Sequence, residues 1–585
     1  MESTYQYLPL STNNQNFMIR VLELSPGDFD NPVIRVKLRS TSLQSVKSQF
    51  EAVSYAWGDS TPCKTINFEG SNAHLHVAAN CYRALRHLRN PVKSRILWID
   101  AICINQNDIP ERNCHTDQAS NLQLLLMGHI YGSASNTVVF LGYNTEGSRF
   151  LFQHLAEADR LIPLAEEPGQ PLALREPSER ITREIEILFQ RPWFSRVWVI
   201  QEVNMAERVI FMCGSSIATI EALMSCLQGH ERNLRLINKF PAPLQLYHSN
   251  FRDMWQQFRP TPARKLYLLA VEAGLCESSN PRDRILALLP LIDTPSPGIV
   301  RLADYSREVE SIFHEFALLF LPDGGLSLLW MIRHPHKRRM PSWVPDWTQN
   351  RGKTYQTLQI PDFFDVFDPE DPEDPKYDRD YENHEDYRDF DIEPVDDAPN
   401  SPSQRLYVKG LRSGRIQDRG PIILINQENI QAKITAVRAL IADLESMRHG
   451  SDVPGWPDSI AQAFRNITTE DLHDLLKAGL APMLANQEIS YDVTLACHES
   501  RIFITSEGDL GLSSQEIQHG DLVCLIKGAI EPCILRERSP DLWSIISGEC
   551  ILLSIERGYR ESGRLLPWMY ITQLVSGREE QFTIC

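Results

Sequence analysis

The chain has 585 residues, more than the roughly 250 to 300 at which a single hydrophobic core stops growing, so we expect two or three domains. Its composition, 42% hydrophobic and 23% charged, is typical of globular proteins and excludes a wholly disordered chain. The formal charge of -18 lies mostly in residues 362–397, where 17 acidic residues outnumber 3 basic ones; the remainder, about -4, predicts no basic face for nucleic acid.

The N-terminus and the cysteines predict a cytoplasmic protein. The opening sequence MESTYQYLPL lacks the basic and apolar regions of a secretory signal, and no apolar run reaches the roughly 18 residues of a membrane span. The 12 cysteines are scattered, without CxxC pairs or the Cys/His spacing of zinc modules. We therefore expect reduced thiols, no bound metal and no membrane span.

Strand and helix patterns alternate between residues 50 and 215, which predicts a parallel α/β sheet flanked by helices. The predicted strands are FEAVSYAWGDS, ILWIDAICIN, NTVVFLGY and RVIFMCG. The predicted helices are AANCYRALRHLRN, NLQLLLMGHIYGSA and ITREIEILFQRPWFSRVWVIQEVNMA, the last broken near Pro192. Cys103 is then inside the second, buried strand, where a thiol is more often an inert apolar group than a nucleophile.

The pattern divides the chain into five segments. A lead-in precedes the α/β region, a helical region follows it, and the acidic run is predicted to be a disordered linker because its like charges repel. The last segment combines short strands, Gly turns and a helical insert, which predicts an α+β module with a small antiparallel sheet or barrel. In chain order the segments are 1–49, 50–215, 216–348, 349–402 and 403–585.

Polar side chains follow two of the predicted strands. The carboxyl ends of strands in open α/β sheets border the crevice where ligands bind. Trp57 and Gly58 follow the first strand at a tight turn, and Asp59 is a candidate cap for the next segment. Asp100 follows the apolar run ILWI and either accepts backbone N–H bonds that anchor its loop or contacts a ligand. The sequence has no Gly-rich phosphate loop, GxSxG motif or HExxH pair.

Trp198 and Glu202 lie four residues apart in the helical pattern SRVWVIQE, which places both side chains on one helix face. Two interpretations are open. A carboxylate near an indole in a cleft suits binding of sugar hydroxyls and stabilisation of an oxocarbenium-like transition state. Alternatively, Trp198 is a core residue and Glu202 pairs with a basic side chain such as Arg196.

Four ordered segments resemble the fungal heterokaryon-incompatibility (HET) domain: FEAVSYAWGDS, LWIDAICINQNDIPERN, LMGHIYGSASNTVVFLG and RPWFSRVWVIQEVNMAERVIFMCG. NPRDRILALLPL and PSWVPDW also resemble segments of longer members. The sequence CHTDQASNL at 114–122 departs from the family pattern and is either a loop insertion or a gene-model error. The resemblance implies an effector of non-self recognition that triggers programmed death after unlike fungal cells fuse.

The order of these segments is also similar to that of TIR domains, which implies a TIR-like parallel sheet. Enzymatic TIR domains cleave NAD at the nicotinamide ribosyl bond with a helical glutamate, and by this resemblance Glu202 is the candidate catalytic residue. The candidate substrate contacts are Trp57, Asp59, Asp100 and Trp198. Other TIR domains are adaptors, so we favour a scaffold that acts through self-association or protein partners. No cofactor is firmly implied, and NAD is a substrate only in the enzymatic alternative.

Overall fold

The computed structural model divides the chain into two compact units, Met1–Arg307 and Glu308–Cys585. The predicted linker 349–402 lies outside the described residues except at 349 and 390–394, and the 114–122 segment lies outside them up to residue 120. No helix among the described residues is long and apolar enough to cross a membrane. The described residues are 3–10, 17–106, 121–161, 179–228, 241–248, 260–332, 335, 338–349, 390–394, 404–425, 430–475, 499–529, 531–548, 550–554 and 579–585.

Within the described residues, ten strands form a sheet at the centre of the first unit, in the order β1-β6-β5-β3-β2-β7-β4-β8-β9-β10. Its strands are β1 (Ser3–Thr4), β2 (Met18–Leu24), β3 (Arg35–Ser42), β4 (Glu51–Tyr55), β5 (Pro62–Phe68), β6 (Ala73–Ala78), β7 (Arg95–Trp98), β8 (Asn136–Phe140), β9 (Val209–Cys213) and β10 (Ser216–Thr219).

The helices of this unit are α1 (Ala79–Leu88), α2 (Asp100–Cys103), α3 (Asn121–Ser133), α4 (Glu146–Leu161), α5 (Glu179–Phe189), α6 (Val199–Asn204), α7 (Ile220–Gln228), α8 (Ala242–His248), α9 (Pro262–Glu272), α10 (Asp283–Leu286) and α11 (Pro297–Leu302). Short 3-10 turns lie at Gln44–Val46, Pro192–Ser195, Ala273–Leu275 and Leu289–Leu291. Helix α1 buries the face predicted from the sequence, with Cys81, Leu85 and Leu88 in the core.

The four strands predicted between residues 50 and 215 are neighbours in the sheet. β7, β4, β8 and β9 pair in parallel, and Ser54 and Tyr55 of β4 lie opposite Val139 and Phe140 of β8. Counted along the chain, their order is 2-1-3-4, the order in which doubly wound sheets change direction between the first and third strands. The carboxyl ends of β4 and β8 therefore form a topological switch point, the place where such sheets bind ligands.

The complete sheet is mixed, so the predicted parallel pairing is confirmed only for those four strands. β2 and β3, from the predicted lead-in, pair antiparallel with each other, and β2 also pairs antiparallel with β7. β10 is antiparallel to β9. Residue patterns predict where a strand lies but not which strand pairs with it. The antiparallel pairings of β2, β3 and β10 are therefore not predicted by the sequence. A TIR-like fold stays a prediction.

The predicted strand ILWIDAICIN is wrong beyond Trp98. β7 ends there, and Asp100–Cys103 forms the short helix α2. An apolar run this short does not distinguish a buried strand from a buried helical turn. Cys103 is nevertheless buried, and burial raises the pKa of its thiol to about 12, so the thiol stays protonated and unreactive at neutral pH.

The second unit contains a second, mostly antiparallel sheet, in the order β15-β16-β17-β19-β12-β13-β14-β18, with β11 beside β12. β15 also pairs with β12, so β12, β15, β16, β17 and β19 form a closed ring of pairings. Helices α13 to α15 follow β12, where the sequence predicts a helical insert. The elements are α12 (Val309–Gly324), a 3-10 turn (Gly325–Met331), β11 (Phe390–Pro394), β12 (Gln404–Arg419), α13 (Ile430–Arg448), α14 (Asp458–Phe464), α15 (Thr469–Leu475), β13 (Ser500–Thr505), β14 (Leu510–Ser514), β15 (Leu522–Ile526), β16 (Cys533–Ser539), β17 (Leu542–Ser547), β18 (Cys550–Leu552) and β19 (Glu579–Ile584).

The turn after β4 requires glycine, which gives a first prediction. Gly58 has φ +64°, and a Cβ there would lie 2.7 Å from Asn80 Nδ2, which donates to Ala56 O at 2.9 Å. Gly58→Ala should cost about 1 to 2 kcal/mol for the left-handed backbone and about 1 more for displacing this bond. Gly70→Ala is the matched control, because Gly70 has φ +75° and nothing within 4 Å of a Cβ. Thermal denaturation should show the larger loss for Gly58→Ala; equal losses would contradict the Asn80 contribution.

Candidate functional site

A chain of hydrogen bonds connects the switch-point strand to helix α6. The Ser54 hydroxyl of β4 donates to Glu202 Oε2, and Trp193 Nε1 donates to Ser54 Oγ at 2.6 Å. All three side chains are buried, and Glu202 is 3% exposed. Since Ser54 accepts from the indole, its own proton is directed at the carboxylate. Strand β4, the Pro192–Ser195 turn and α6 thus meet at one carboxylate.

Glu202 titrates near neutral pH. Burial raises the pKa of its carboxyl to about 7, against an ordinary value of 4.5. The Arg196 charge and the Ser54 hydrogen bond lower this pKa, and the Asp100 charge raises it. A carboxyl group with this pKa can accept or donate a proton at neutral pH, the property required of a general acid or base.

Asp100 lies at the same edge, directly after β7. Its Oδ2 accepts from Trp57 Nε1 at 2.9 Å and its Oδ1 from the backbone N of Ala101 at 2.7 Å, while its backbone O accepts from Gln106 Nε2 at 3.0 Å. Burial raises the pKa of this carboxyl, opposed first by the Arg196 charge. The sequence predicts that Asp100 accepts backbone N–H bonds that anchor the following residues. Asp100 accepts such a bond from Ala101, and it also accepts from the Trp57 indole.

One guanidinium faces both carboxylates. Arg196 Nη1 donates to Tyr55 O at 2.5 Å, at the end of β4, and its charge lowers the pKa of Asp100 and of Glu202. The sequence suggested Arg196 as an ion-pair partner of Glu202, and the structure shows its effect as a charge acting on two carboxylates. The same charge also lowers the pKa of the buried Asp283 carboxyl group. Because one positive charge faces three buried carboxyl groups, the site favours protonation of at least one of them.

The structure does not bring all the predicted residues together. Trp57, Asp100 and Glu202 share the electrostatic cluster, whereas Asp59 is exposed and accepts from the backbone N of Thr61 at 2.9 Å, which closes a turn. Hydrogen bonds from the Thr61 side chain, first, and from its backbone N lower the pKa of Asp59. Trp198 immediately precedes α6, and its Nε1 donates to Asp283 Oδ2 at 2.9 Å. The indole and the Glu202 carboxylate therefore have different partners despite their spacing.

Three polar residues of this region were missed by sequence reasoning. Ser54 donates to the Glu202 carboxylate, and Trp193 donates to Ser54. Gln201 is fully buried, with neither amide atom hydrogen-bonded within the described part of the chain. A serine inside the otherwise apolar strand EAVSY was the available signal for Ser54, because buried hydroxyl groups require partners. No group of three or more His, Cys, Asp or Glu side chains in the described ranges could hold a metal ion.

Comparison with known proteins identifies the segment that builds this cluster. A family model described as "Heterokaryon incompatibility protein (HET)" matches residues 50–202. An alignment 427 positions long, which covers 60% of the chain, is 27% identical to a Neurospora crassa protein named "Heterokaryon incompatibility protein 6, OR allele". It spans about three fifths (61%) of that relative. No solved structure matches the chain. The matched segment includes both Ser54 and Glu202.

The raised pKa of Glu202 predicts a pH-dependent effect of substitution. Between its unfolded value of 4.5 and its folded value of about 7, the folded chain holds a proton that the unfolded chain releases, so stability falls as pH rises. Glu202→Gln cannot ionise and should gain stability relative to the wild type from about pH 5 to about pH 8, by at most about 3 kcal/mol.

Differential scanning fluorimetry across this range measures the gain, with Glu207→Gln as the control because Glu207 is an exposed carboxylate on the same segment. A melting-temperature difference between Glu202→Gln and the wild type that is independent of pH would contradict the buried, protonated state.

Proposed function

We propose that this chain, which carries a heterokaryon incompatibility (HET) domain at residues 50–202, is a cytoplasmic effector of non-self recognition that triggers programmed death after unlike fungal cells fuse. The family match and the similarity to a Neurospora crassa incompatibility protein support this proposal. Because the chain spans 61% of that relative, activity and partners are proposed for this chain and not transferred from it.

In this proposal the effector acts as a scaffold that self-associates or binds protein partners. The observation that carries it is the internal hydrogen bonding of the carboxylates: Glu202 accepts from Ser54, and Asp100 accepts from Trp57 and Ala101. With Glu202 only 3% exposed, its carboxylate is enclosed by protein and suited to fixing β4 against α6. A rigid α/β unit of this kind can present a constant surface for assembly.

A second candidate function is cleavage of NAD at the nicotinamide ribosyl bond, with Glu202 as the catalytic carboxylate. Two observations favour it: the carboxylate lies near the switch point of the parallel strands, and its pKa is raised to about 7. An ionised Glu202 would stabilise the positive charge that develops on the ribose as nicotinamide leaves. This role requires an opening of the site that admits the ribosyl group.

Expression of the full chain in a fungal host, beside Glu202→Gln and the control Glu207→Gln, separates the two candidates. Cell viability, NAD content and size-exclusion behaviour of the purified chain are measured together. The scaffold predicts that folded Glu202→Gln still self-associates and kills with NAD unchanged. The enzyme predicts that Glu202→Gln loses NAD turnover by about 100-fold or more, and loses killing with it. Normal growth at a high level of wild-type chain would contradict the effector proposal itself.

A further inference from the structure

The backbone that leads into α6 is held by a residue beyond the matched segment. Val197 N donates to Glu277 O at 3.0 Å, and Glu277 N donates to Ser195 O. Ser195 Oγ also donates to Glu277 Oε2 at 3.3 Å. Residues 195–197 therefore form a strand-like bridge with the following helical region, which lies outside the matched segment but in the same compact unit.

Asp283 makes the second connection to this region. Its side chain is buried at 7% exposure, and both oxygens accept a hydrogen bond: Oδ2 from Trp198 Nε1 at 2.9 Å and Oδ1 from Tyr305 OH at 2.6 Å. A buried carboxylate depends strongly on such donors, because losing one leaves charge without compensation. The Trp198 indole is thus held between α6 and the segment that contains α10 and Tyr305.

The position of Trp198 controls where Glu202 points. Helix α6 has six residues, too few to be stable alone, so external contacts must fix where it starts and how it is rotated. Trp198 O accepts the backbone N–H of Glu202 at 3.4 Å, one turn later. A register shift of one residue would rotate the helix by about 100° and carry the carboxylate away from Ser54.

We propose that Asp283 is a positioning residue for the Glu202 site, acting through Trp198, and that the effector unit therefore includes residues 277–305 beyond the matched segment. The importance of Glu202 for activity rests on the proposed function, but the positioning itself does not. The Asp283 carboxylate accepts from Trp198 and Tyr305 and so holds the start of the helix, while the Glu202 carboxylate accepts from Ser54.

The effect of Asp283 on Glu202 can be separated from a direct electrostatic one. Burial, Arg196, Ser54 and Asp100 are the influences that shift the pKa of Glu202, and Asp283 is not among them. Trp198→Phe, in addition, removes the indole N–H without changing any charge. The Arg196 charge lowers the pKa of both Asp283 and Glu202, so Asp283→Asn can also act through this guanidinium. A change in Glu202 titration therefore reports a change of position when Trp198→Phe, which keeps the Asp283 carboxyl group, shows it as well.

The experiment is a double-mutant cycle in the full chain. The pH-dependent gain in melting temperature caused by Glu202→Gln is measured in the wild type, in Asp283→Asn and in Trp198→Phe, with circular dichroism to confirm folding. If Glu202 leaves its buried position, its pKa returns toward 4.5 and the gain should fall by about half or more in both variants. Asp293→Asn is the matched control, because Asp293 is an exposed carboxylate of the same region that forms an ion pair with Lys265.

An unchanged gain in both folded variants would overturn the proposal and leave Asp283 with a stabilising role only. If Asp283→Asn does not fold, Trp198→Phe decides alone, since it keeps the aromatic ring and the carboxylate. Cell viability during expression of the same variants tests the catalytic role of Glu202 separately from the positioning role of Asp283. If Glu202→Gln kills as well as the wild type, the catalytic candidate fails while the titration result for Asp283 stands.

Discussion

The hydrogen bond from Ser54 to Glu202 is the constraint on which the first unit depends. It joins β4 to α6 across 148 positions of the chain and places an ionisable group where water is nearly excluded. An unpaired carboxylate there would be costly, so the indole of Trp193 and the charge of Arg196 must be close by. These requirements fix the strand, the 3-10 turn and the short helix relative to one another.

The same network explains why one site supports two interpretations. Asp100 and Glu202 repel each other and share the single positive charge of Arg196, so one carboxyl group tends to keep its proton. A protonated Glu202 with a hydroxyl partner is a stable core contact. Ionised, the same group has the charge that a cationic transition state requires. The opening of the site, more than the identity of its residues, therefore distinguishes a scaffold from a catalyst.

The sequence predicted those parts of the fold that depend on local patterns. The four parallel strands and α1 follow from apolar periodicity, which reflects how each segment is buried. Cys103 was assigned to a strand because the apolar run continues past Trp98, although the chain turns into a helix at Asp100. The places of β2 and β3 in the sheet depend on partners distant in sequence, and no local pattern encodes them. The spacing from Trp198 draws attention to Glu202 but leaves its role open, and only the TIR resemblance makes it a catalytic candidate. The Trp198 contact with Asp283, 85 positions away, has no local sequence signal.

The matched segment supplies the residues of the site, but the strand pairings show that a longer part of the chain is needed to complete its sheet. The matched segment 50–202 contains β4, β7 and β8, but the outer partners of this parallel core come from outside it. β2 precedes the segment and pairs with the outer edge of β7, and β9 follows it and pairs with the outer edge of β8. Without them, both edges of a largely buried three-stranded sheet would expose unpaired backbone groups, the arrangement that promotes aggregation. Strands on both sides of the match are therefore a physical requirement for holding Ser54 and Glu202 in place.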